Sequence, residues 1–233
     1  MICFIDYRTN EEERKSLKSL NLSLIEIPPC DNLYEAINGH VDIQVNILDK
    51  NKKKIIIQKE MPETFKNLLI KNNISFIESK NSLGYNYPSN ISLNSLILNN
   101  YFVHNLKFTD PNLLSTQKSK ILINVKQGYT KCSSLIVADK AIITSDKSIY
   151  NSLIKENFDI LLLPPGDIIL EGLNYGFIGG TGGLINKNIM AFFGSLDNYL
   201  YGKEIKNFLA KYNVKPIYLS KGKLIDRGSL MVL

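Results

Sequence analysis

The chain has 233 residues, of which 44% are hydrophobic and 21% charged, and its formal net charge is +6. This is the composition of a globular protein that can bury a large core. No apolar run approaches the roughly 20 residues of a membrane-spanning helix. Residues 1–6 are too short and too soon charged for a signal peptide. We therefore expect a cytoplasmic protein without membrane contact.

The cysteines argue against a metal site and a disulfide framework, and the lysines do not indicate a nucleic-acid-binding protein. Cys3, Cys30 and Cys132 have no metal-ligand spacing, and an odd number disfavours a disulfide framework. Lysines are spread along the chain, and the run at 52–54 is typical of a solvated turn. The charge therefore does not favour nucleic-acid binding, because no aromatic and basic residues interleave.

The predicted elements recur in one order along the chain. The first residues predict a strand, an amphipathic helix and a second strand, over 1–5, 9–20 and 22–27. A hairpin, a helix and a strand follow, over 41–48 with 54–58, 62–71 and 74–78. The same order is predicted three more times, with hairpins over 90–105, 132–144 and 183–193.

The two ends of the chain complete each other. Residues 229–233 predict a lone strand, and residues 1–27 predict a unit that lacks its first strand. Hairpins begin near residues 40, 90, 132, 181 and 228, a period of roughly 42 to 50 residues that is typical of repeat architectures. We therefore predict one α/β domain over 1–233, a pseudo-fivefold, five-bladed ring closed by pairing of the N- and C-terminal strands.

An internal sequence match supports the repeats. Residues 28–38 align without a gap with residues 164–174, and both prolines and the later Asp, Glu and Asn recur. Shared turn chemistry is the alternative explanation for this match.

The segment Gly39-His40-Val41-Asp42, at the start of the first predicted hairpin, carries a family resemblance. On a strand, His40 and Asp42 point to the same side. Together with the five repeats, this segment resembles the His-x-Asp motif of the pentein superfamily. That superfamily of α/β propellers includes arginine and agmatine deiminases, dimethylarginine hydrolases and amidinotransferases.

The resemblance implies a set of site residues. Penteins use a Cys nucleophile two repeats after the His, which corresponds to Cys132, with His40 as general acid and base. An acidic residue one repeat before the His corresponds to Asp226, and Glu35 is the substitute because Arg227 stands where a Gly is expected. Asp42 and Glu35 are the residues implied to bind the substrate. No metal or organic cofactor is implied.

The implied chemistry needs these residue types. A guanidinium carbon is a poor electrophile, and carboxylates such as Asp42 and Asp226 would fix its plane in bidentate fashion. A nearby cation, either protonated His40 or the substrate, would favour the Cys132 thiolate. His40 would then protonate the leaving amine and activate water, which releases a thiouronium intermediate. No arginine is placed to bind a substrate carboxylate, which disfavours free arginine as the substrate.

Each residue also has a purely structural interpretation. Cys132 is also typical of a buried core residue like Cys3, and His40 of a hydrogen-bonded turn. Asp42 is equally consistent with a solvent-facing position on an edge strand, and Asp226 with a turn before Gly228. We predict a surface position for His104. The glycine-rich run 179–183 lacks the Lys-Ser/Thr ending of a phosphate loop, and we expect its glycines to allow close backbone packing.

Two functions therefore remain at the level of sequence. The first is a hydrolase, or an amidinotransferase, acting on a small cationic guanidino or amidino compound through a Cys thiolate. The alternative is a non-catalytic pentein used for binding, similar to the ribosome anti-association factors. The sequence leaves the substrate and the oligomeric state open.

Overall fold

The computed structural model describes residues 1–233 and contains fifteen strands and six α-helices. The strands are β1 Ile2–Asp6, β2 Ser23–Ile27, β3 Val45–Asp49, β4 Lys54–Ile57, β5 Ser75–Glu78, β6 Leu96–Ile97, β7 Tyr101–His104, β8 Ile121–Asn124, β9 Ser134–Ala138, β10 Ala141–Thr144, β11 Asp159–Leu162, β12 Gly182–Asn186, β13 Ile189–Phe192, β14 Lys215–Tyr218 and β15 Met231–Val232. The helices are α1 Glu11–Ser19, α2 Val41–Gln44, α3 Glu63–Lys71, α4 Pro111–Ser115, α5 Lys147–Leu153 and α6 Gly202–Lys211. None of these helices has the length and apolar character needed to cross a bilayer.

The strands form five separate three-stranded sheets of one design. Each sheet has a first, a middle and a third strand in the order of the repeat, and β15 is the first strand of the sheet β15-β1-β2. The first strand pairs antiparallel with the middle strand, and the middle strand pairs parallel with the third. A parallel pair needs a crossover connection, and a helix supplies it between the middle and third strands. The sheets remain separate, and no closed sheet is formed.

The fifth sheet joins the two ends of the chain, as predicted. Its strand order is β15-β1-β2, and Cys3 lies opposite Val232 in the antiparallel pair. The N-terminal and C-terminal strands thus complete one sheet, and the incomplete units at the ends of the sequence are two parts of one repeat.

Burial explains why the middle strands are the most apolar. Every residue of β1, β7 and β10 is buried, because neighbouring strands and packed side chains cover both faces. The third strands lie at sheet edges and are more exposed, as in β8 and β14. The largest cluster of buried apolar side chains lies between the sheets of β9–β11 and β12–β14 and includes Ile205 and Leu209 of α6.

Helix α1 begins where its sequence predicts. Asn10 caps the helix through a hydrogen bond from the Glu13 backbone N–H, at 2.9 Å, and the Glu13 carboxylate accepts from the Asn10 backbone N–H. This reciprocal capping box satisfies two backbone donors at the start of the helix.

The prediction of a strand over 41–48, the first of its hairpin, is wrong for the first half of that range. Val41–Gln44 forms one helical turn, and the strand begins only at Val45. Hydrogen bonds from the Asp42 backbone to Gly228 and from the Gln44 side chain to Pro28 and Asn38 fix this turn. Most of these hydrogen bonds join segments that are distant in sequence, so the local pattern of residues does not reveal them.

Two other strand predictions are too long for a similar reason. Only Leu96–Ile97 of the predicted strand over 90–98 is extended and paired, and Cys132 precedes β9 instead of beginning it. The Asn94 side chain accepts hydrogen bonds from the backbone N–H groups of Lys131 and Cys132. Asn94 therefore binds the two loops together where the sequence pattern predicts strands.

The predicted surface position of His104 is wrong, because its side chain is fully buried at the end of the middle strand β7. Its Nε2 lies 3.0 Å from the Gly128 carbonyl oxygen and its Nδ1 lies 2.7 Å from the Thr109 hydroxyl. Burial lowers the pKa of His104 to about 4. His104 is therefore a neutral core residue that donates from Nε2 and accepts at Nδ1.

Candidate active site

Three chemically active side chains meet where different repeats approach one another. A His40 ring nitrogen, an Asp42 carboxylate oxygen and the Cys132 sulfur lie within 4.8 Å of one another, and all three residues are buried. His40 occupies the N-cap position of α2, Asp42 lies in its first turn, and Cys132 lies in the turn before β9. The fold thus brings together residues that are about 90 positions apart.

The Cys132 thiol is held by two hydrogen bonds. Its Sγ donates to Asp42 Oδ1 at 2.9 Å and accepts from Asn94 Nδ2 at 3.1 Å. Burial raises the pKa of the Cys132 thiol well above its usual value, and the negative charge of Asp42 raises it further. Without an added cation nearby, Cys132 is therefore a protonated thiol.

His40 and Asp226 form a second pair. His40 Nε2 lies 3.8 Å from Asp226 Oδ1, and neither ring nitrogen has a hydrogen-bond partner although the side chain is buried. The Asp226 oxygens accept from the backbone N–H groups of Phe177 and Gly228, at 2.7 and 2.9 Å. Burial raises the pKa of Asp226, and the nearby His40 opposes this rise. The unpartnered imidazole is available to a ligand.

Glycines make room for this pair. A Cβ at Gly180 would overlap the Asp226 carboxylate, and a Cβ at Gly228 would overlap His40. Gly228 also has a φ of +67°, in the left-handed region that favours glycine. At Gly179, a Cβ would overlap the backbone oxygens of the segment that carries Cys132. The prediction that the glycine-rich run allows close backbone packing is confirmed.

These side chains line one end of a cavity of about 240 Å³. His40, Cys132 and Asp226 supply its reactive groups, and the remaining lining is the polar Asn174 together with aromatic and aliphatic residues: Tyr34, Ile37, Ile43, Tyr129, Leu170, Leu173, Tyr175 and Phe177. The two segments of the internal sequence match both contribute to this lining, with residues 34 and 37 from one and residues 170, 173 and 174 from the other. Aromatic walls beside a buried carboxylate suit a cationic group.

Asp42 and Glu35 do not line this cavity. Asp42 is fully buried behind Cys132, so the solvent-facing alternative is wrong for it. Its Oδ2 accepts from the Ser229 hydroxyl at 2.5 Å, and Lys131 Nζ donates to the same hydroxyl at 2.8 Å. Glu35 is exposed on a 3₁₀ turn, Glu35–Ile37. The structure thus places Asp42 beside the thiol and Glu35 outside the cluster.

His40, Asp42 and Cys132 offer the nitrogen, oxygen and sulfur donors that zinc prefers. Ordinary zinc bond lengths at a tetrahedral angle would separate the sulfur and oxygen ligands by about 3.5 Å. Here the Cys132 thiol donates a hydrogen bond to Asp42 Oδ1 with only 2.9 Å between sulfur and oxygen, and the Ser229 hydroxyl donates one to Asp42 Oδ2. The cluster is therefore arranged as a hydrogen-bond network and does not fit a metal shell.

Sequence reasoning missed three polar residues of the cluster: Asn94, Lys131 and Ser229. Lys131 and Ser229 directly neighbour Cys132 and the Asp226 turn in sequence, so proximity was a usable signal for them. Asn94 has no such signal, because its role depends on a contact across 38 residues. The aromatic side chains were also missed, because they come from three separate loops.

One sequence family matches nearly the whole chain. Residues 4–231 match the model of a family of unknown function, DUF6873. No curated protein sequence matches the chain.

Solved structures of the pentein superfamily share this fold. The amidinotransferase SxtG of the saxitoxin biosynthetic pathway, from Microseira wollei, has a TM-score of 0.60 at 10% identity, over 96% of this chain and 79% of that one. The enzyme DDAH from Pseudomonas aeruginosa, solved as a cysteine-to-serine mutant complexed with citrulline, has a TM-score of 0.55 at 9% identity, over 93% and 90%. An inosamine-phosphate amidinotransferase from Streptomyces griseus has a TM-score of 0.51 at 8% identity, over 96% and 80%. The chain therefore has the pentein fold.

Proposed function

We propose that this chain, which belongs to the family of unknown function DUF6873, is a cysteine-dependent hydrolase acting on the guanidino or amidino group of a small cation. The observation that carries this proposal is the meeting of Cys132, His40 and Asp226 at one end of a single cavity. Enzymes with the same fold act on related groups, which supports the class of reaction. In this proposal residues 1–233 are one domain, and the five sheets are the blades of a closed propeller.

The charges around the cavity favour a cationic substrate. Asp42 and Asp226 are buried carboxylates, and Lys131 is the one cationic side chain bonded into their network. A guanidinium group would donate two hydrogen bonds to Asp226 and stack against aromatic walls such as Phe177. Burial raises the pKa of Asp226, so a bound cation would also favour its charged form.

The substrate itself would activate the nucleophile. Cys132 is protonated in the free protein, because burial and Asp42 raise the pKa of its thiol. A guanidinium charge beside the sulfur would favour the thiolate, and each pKa unit of lowering corresponds to about 1.4 kcal/mol. His40, whose ring lies within 4.8 Å of the sulfur, would receive the thiol proton once the two approach to hydrogen-bond distance or are joined by a water.

The covalent steps follow from this arrangement. The Cys132 thiolate adds to the guanidinium carbon, the bond from that carbon to a leaving nitrogen breaks, and protonated His40 supplies the proton of the leaving amine. The product is a thiouronium joined to Cys132. Water then loses a proton to His40 and adds to the same carbon, the C–S bond breaks, and the sulfur recovers its proton.

Transfer of the amidino group is the variant of this reaction in which an amine replaces water. Both routes share the same intermediate, and the proposal for this chain is hydrolysis. It calls for no metal or organic cofactor. Three free cysteines accord with the reducing cytoplasm that we propose as its location.

A screen of guanidino and amidino compounds tests the proposal, with mass spectrometry of the products and of the intact protein. We expect release of an amine or ammonia, and an adduct on Cys132 under rapid quenching. Cys132→Ser should abolish both signals, whereas Cys30→Ser, the same chemical change outside the cavity lining, should retain them. Turnover that survives Cys132→Ser would overturn the proposal. Failure of every compound, with no adduct, would favour the non-catalytic binding protein.

A further inference from the structure

A second and larger cavity, of about 830 Å³, is lined in part by Lys131, the residue before Cys132. The first strand of each of the five sheets contributes to its wall: β3, β6, β9, β12 and β15. Its mouth includes residues of four hairpin turns, namely Lys50, Asn99, Asp139 and Lys187. Its opposite end includes Ser95 and Lys131, next to the strand starts that carry the candidate active site.

The charges in this cavity are unbalanced. Lys50, Lys120, Lys131 and Lys187 line it, against the carboxylates of Asp49 and Asp139. Of the four lysines, none forms an ion pair. Asp49 instead pairs with Lys52, which lies outside the cavity lining.

Burial adds to the imbalance. It lowers the pKa values of the half-buried Lys120 and Lys131, which means that the surroundings disfavour their positive charges. For Lys131, Asp42 and Asp226 oppose this lowering, and the charge of Lys50 adds to it. An anion placed between these ammonium groups would favour their charged forms and would offset the repulsion between Lys50 and Lys131.

We propose that this second cavity binds a small organic anion that combines two or more phosphate or carboxylate charges with an apolar body. One of its charged groups would contact Lys50 and Lys187 at the hairpin turns, and another would contact Lys131 at the opposite end. Leu135, Val137 and Met231 are among the apolar residues of the wall, and they suit the uncharged body of such a ligand. Binding at these lysines does not depend on the reaction proposed for Cys132.

The cavity is connected to the Cys132 thiol by a chain of hydrogen bonds. Lys131 Nζ donates to the Ser229 hydroxyl at 2.8 Å, Ser229 donates to Asp42 Oδ2, and Asp42 Oδ1 accepts from Cys132. An anion that draws the Lys131 ammonium into the cavity weakens this chain and adds negative charge near the sulfur. Both changes raise the pKa of the Cys132 thiol, so occupancy of the cavity slows its reaction with an alkylating reagent.

Isothermal titration calorimetry tests the site with inorganic pyrophosphate, citrate and ATP as anionic probes and adenosine as the uncharged one. We expect at least one anion to bind and adenosine to fail. The double variant Lys50→Gln/Lys187→Gln should weaken that binding at least tenfold. Lys147→Gln/Lys203→Gln removes the same charge from lysines of α5 and α6 that are exposed, as Lys50 and Lys187 are, but lie outside the cavity lining, and it should leave the binding unchanged.

Iodoacetamide alkylation of Cys132, in a Cys3→Ala/Cys30→Ala background, tests the connection. The binding anion should slow the reaction severalfold, and this slowing should be absent in Lys50→Gln/Lys187→Gln when its rate with the anion is compared with its own rate without it. Binding of no anionic probe, or an equal loss of affinity in both double variants, would overturn the site. Specific binding without any change in alkylation rate would overturn its connection to Cys132.

Discussion

The Cys132 thiol donates a hydrogen bond to the Asp42 carboxylate, with 2.9 Å between sulfur and oxygen. A carboxylate in this position opposes ionisation of the sulfur, and burial acts in the same direction. The Cys132 thiol therefore stays protonated, and as a nucleophile it would need a nearby positive charge to form the thiolate. In the proposed reaction, this contact would keep the thiol protonated until a cationic substrate binds.

Replacing Asp42 by Asn should make the free thiol more reactive. The substitution keeps the size of the side chain and removes the charge that raises the pKa of Cys132. It also leaves Lys131, which is linked to Asp42 through Ser229, as a cation that favours the thiolate. We expect alkylation of Cys132 at neutral pH to be about tenfold faster or more, since one pKa unit corresponds to a tenfold change in thiolate.

Asp31→Asn is the control for this prediction, because it removes the same charge from an exposed position. It should leave the rate unchanged in the Cys3→Ala/Cys30→Ala background. A rate for Asp42→Asn at or below that of the parent protein would show that Asp42 does not suppress the thiolate.

Gly180→Ala should destabilise the protein by displacing Asp226. The new Cβ would overlap the Asp226 carboxylate, which backbone hydrogen bonds from Phe177 and Gly228 hold in place. Overpacking of this kind costs about 1–3 kcal/mol. We expect a loss of about 2 kcal/mol in the free energy of unfolding, measured by urea denaturation.

Gly222→Ala provides the matched comparison. A Cβ there meets no atom within 4 Å, and the residue is exposed. Its effect should stay within about 0.5 kcal/mol, as for most surface substitutions. Equal stability of the two variants would mean that the close packing of Gly180 on Asp226 is absent in solution.

His104 should make the folded protein less stable in mild acid. Burial lowers its pKa from 6.5 to about 4 in the folded state, so between these values the unfolded chain binds a proton that the folded chain does not. Stability therefore falls as the pH drops through this window, by about 3 kcal/mol from this residue alone. The free energy of unfolding at several pH values measures the effect.

His104→Gln separates this effect from that of other titrating groups. The variant has no imidazole to protonate, so its stability should change less between pH 6.5 and pH 4 than that of the parent protein. Identical pH dependence in the two proteins would show that His104 is not held neutral in the folded state.

The periodicity of the sequence was enough to predict most of the fold. Apolar runs such as Ala141–Thr144 mark the middle strands, and the capping residues of α1 mark its start. The pairing of the chain ends followed from counting what each terminal repeat lacked. These features are local or repeated, and their physical causes can be read from neighbouring residues.

The details of the site could not be predicted in the same way. The turn at Val41–Gln44 and the short strand β6 depend on hydrogen bonds between distant segments, such as those of Asn94 with Lys131 and Cys132. The burial of His104 depends on its place in a middle strand. Asp42 has one contact with Cys132 and another with Ser229 that no sequence spacing reveals.

The most direct test of the account is the titration of the Cys132 thiolate by its ultraviolet absorbance, as the difference between the parent protein and Cys132→Ser. Guanidinium chloride at a concentration below the onset of unfolding supplies the cation, and sodium chloride at the same concentration is the control. We predict that the thiol titrates above the ordinary cysteine value of about 8.5 in sodium chloride. In guanidinium chloride the titration should move to lower pH. Identical curves in the two salts, or a thiolate that already forms below about 8.5 in sodium chloride, would contradict a cation-activated Cys132.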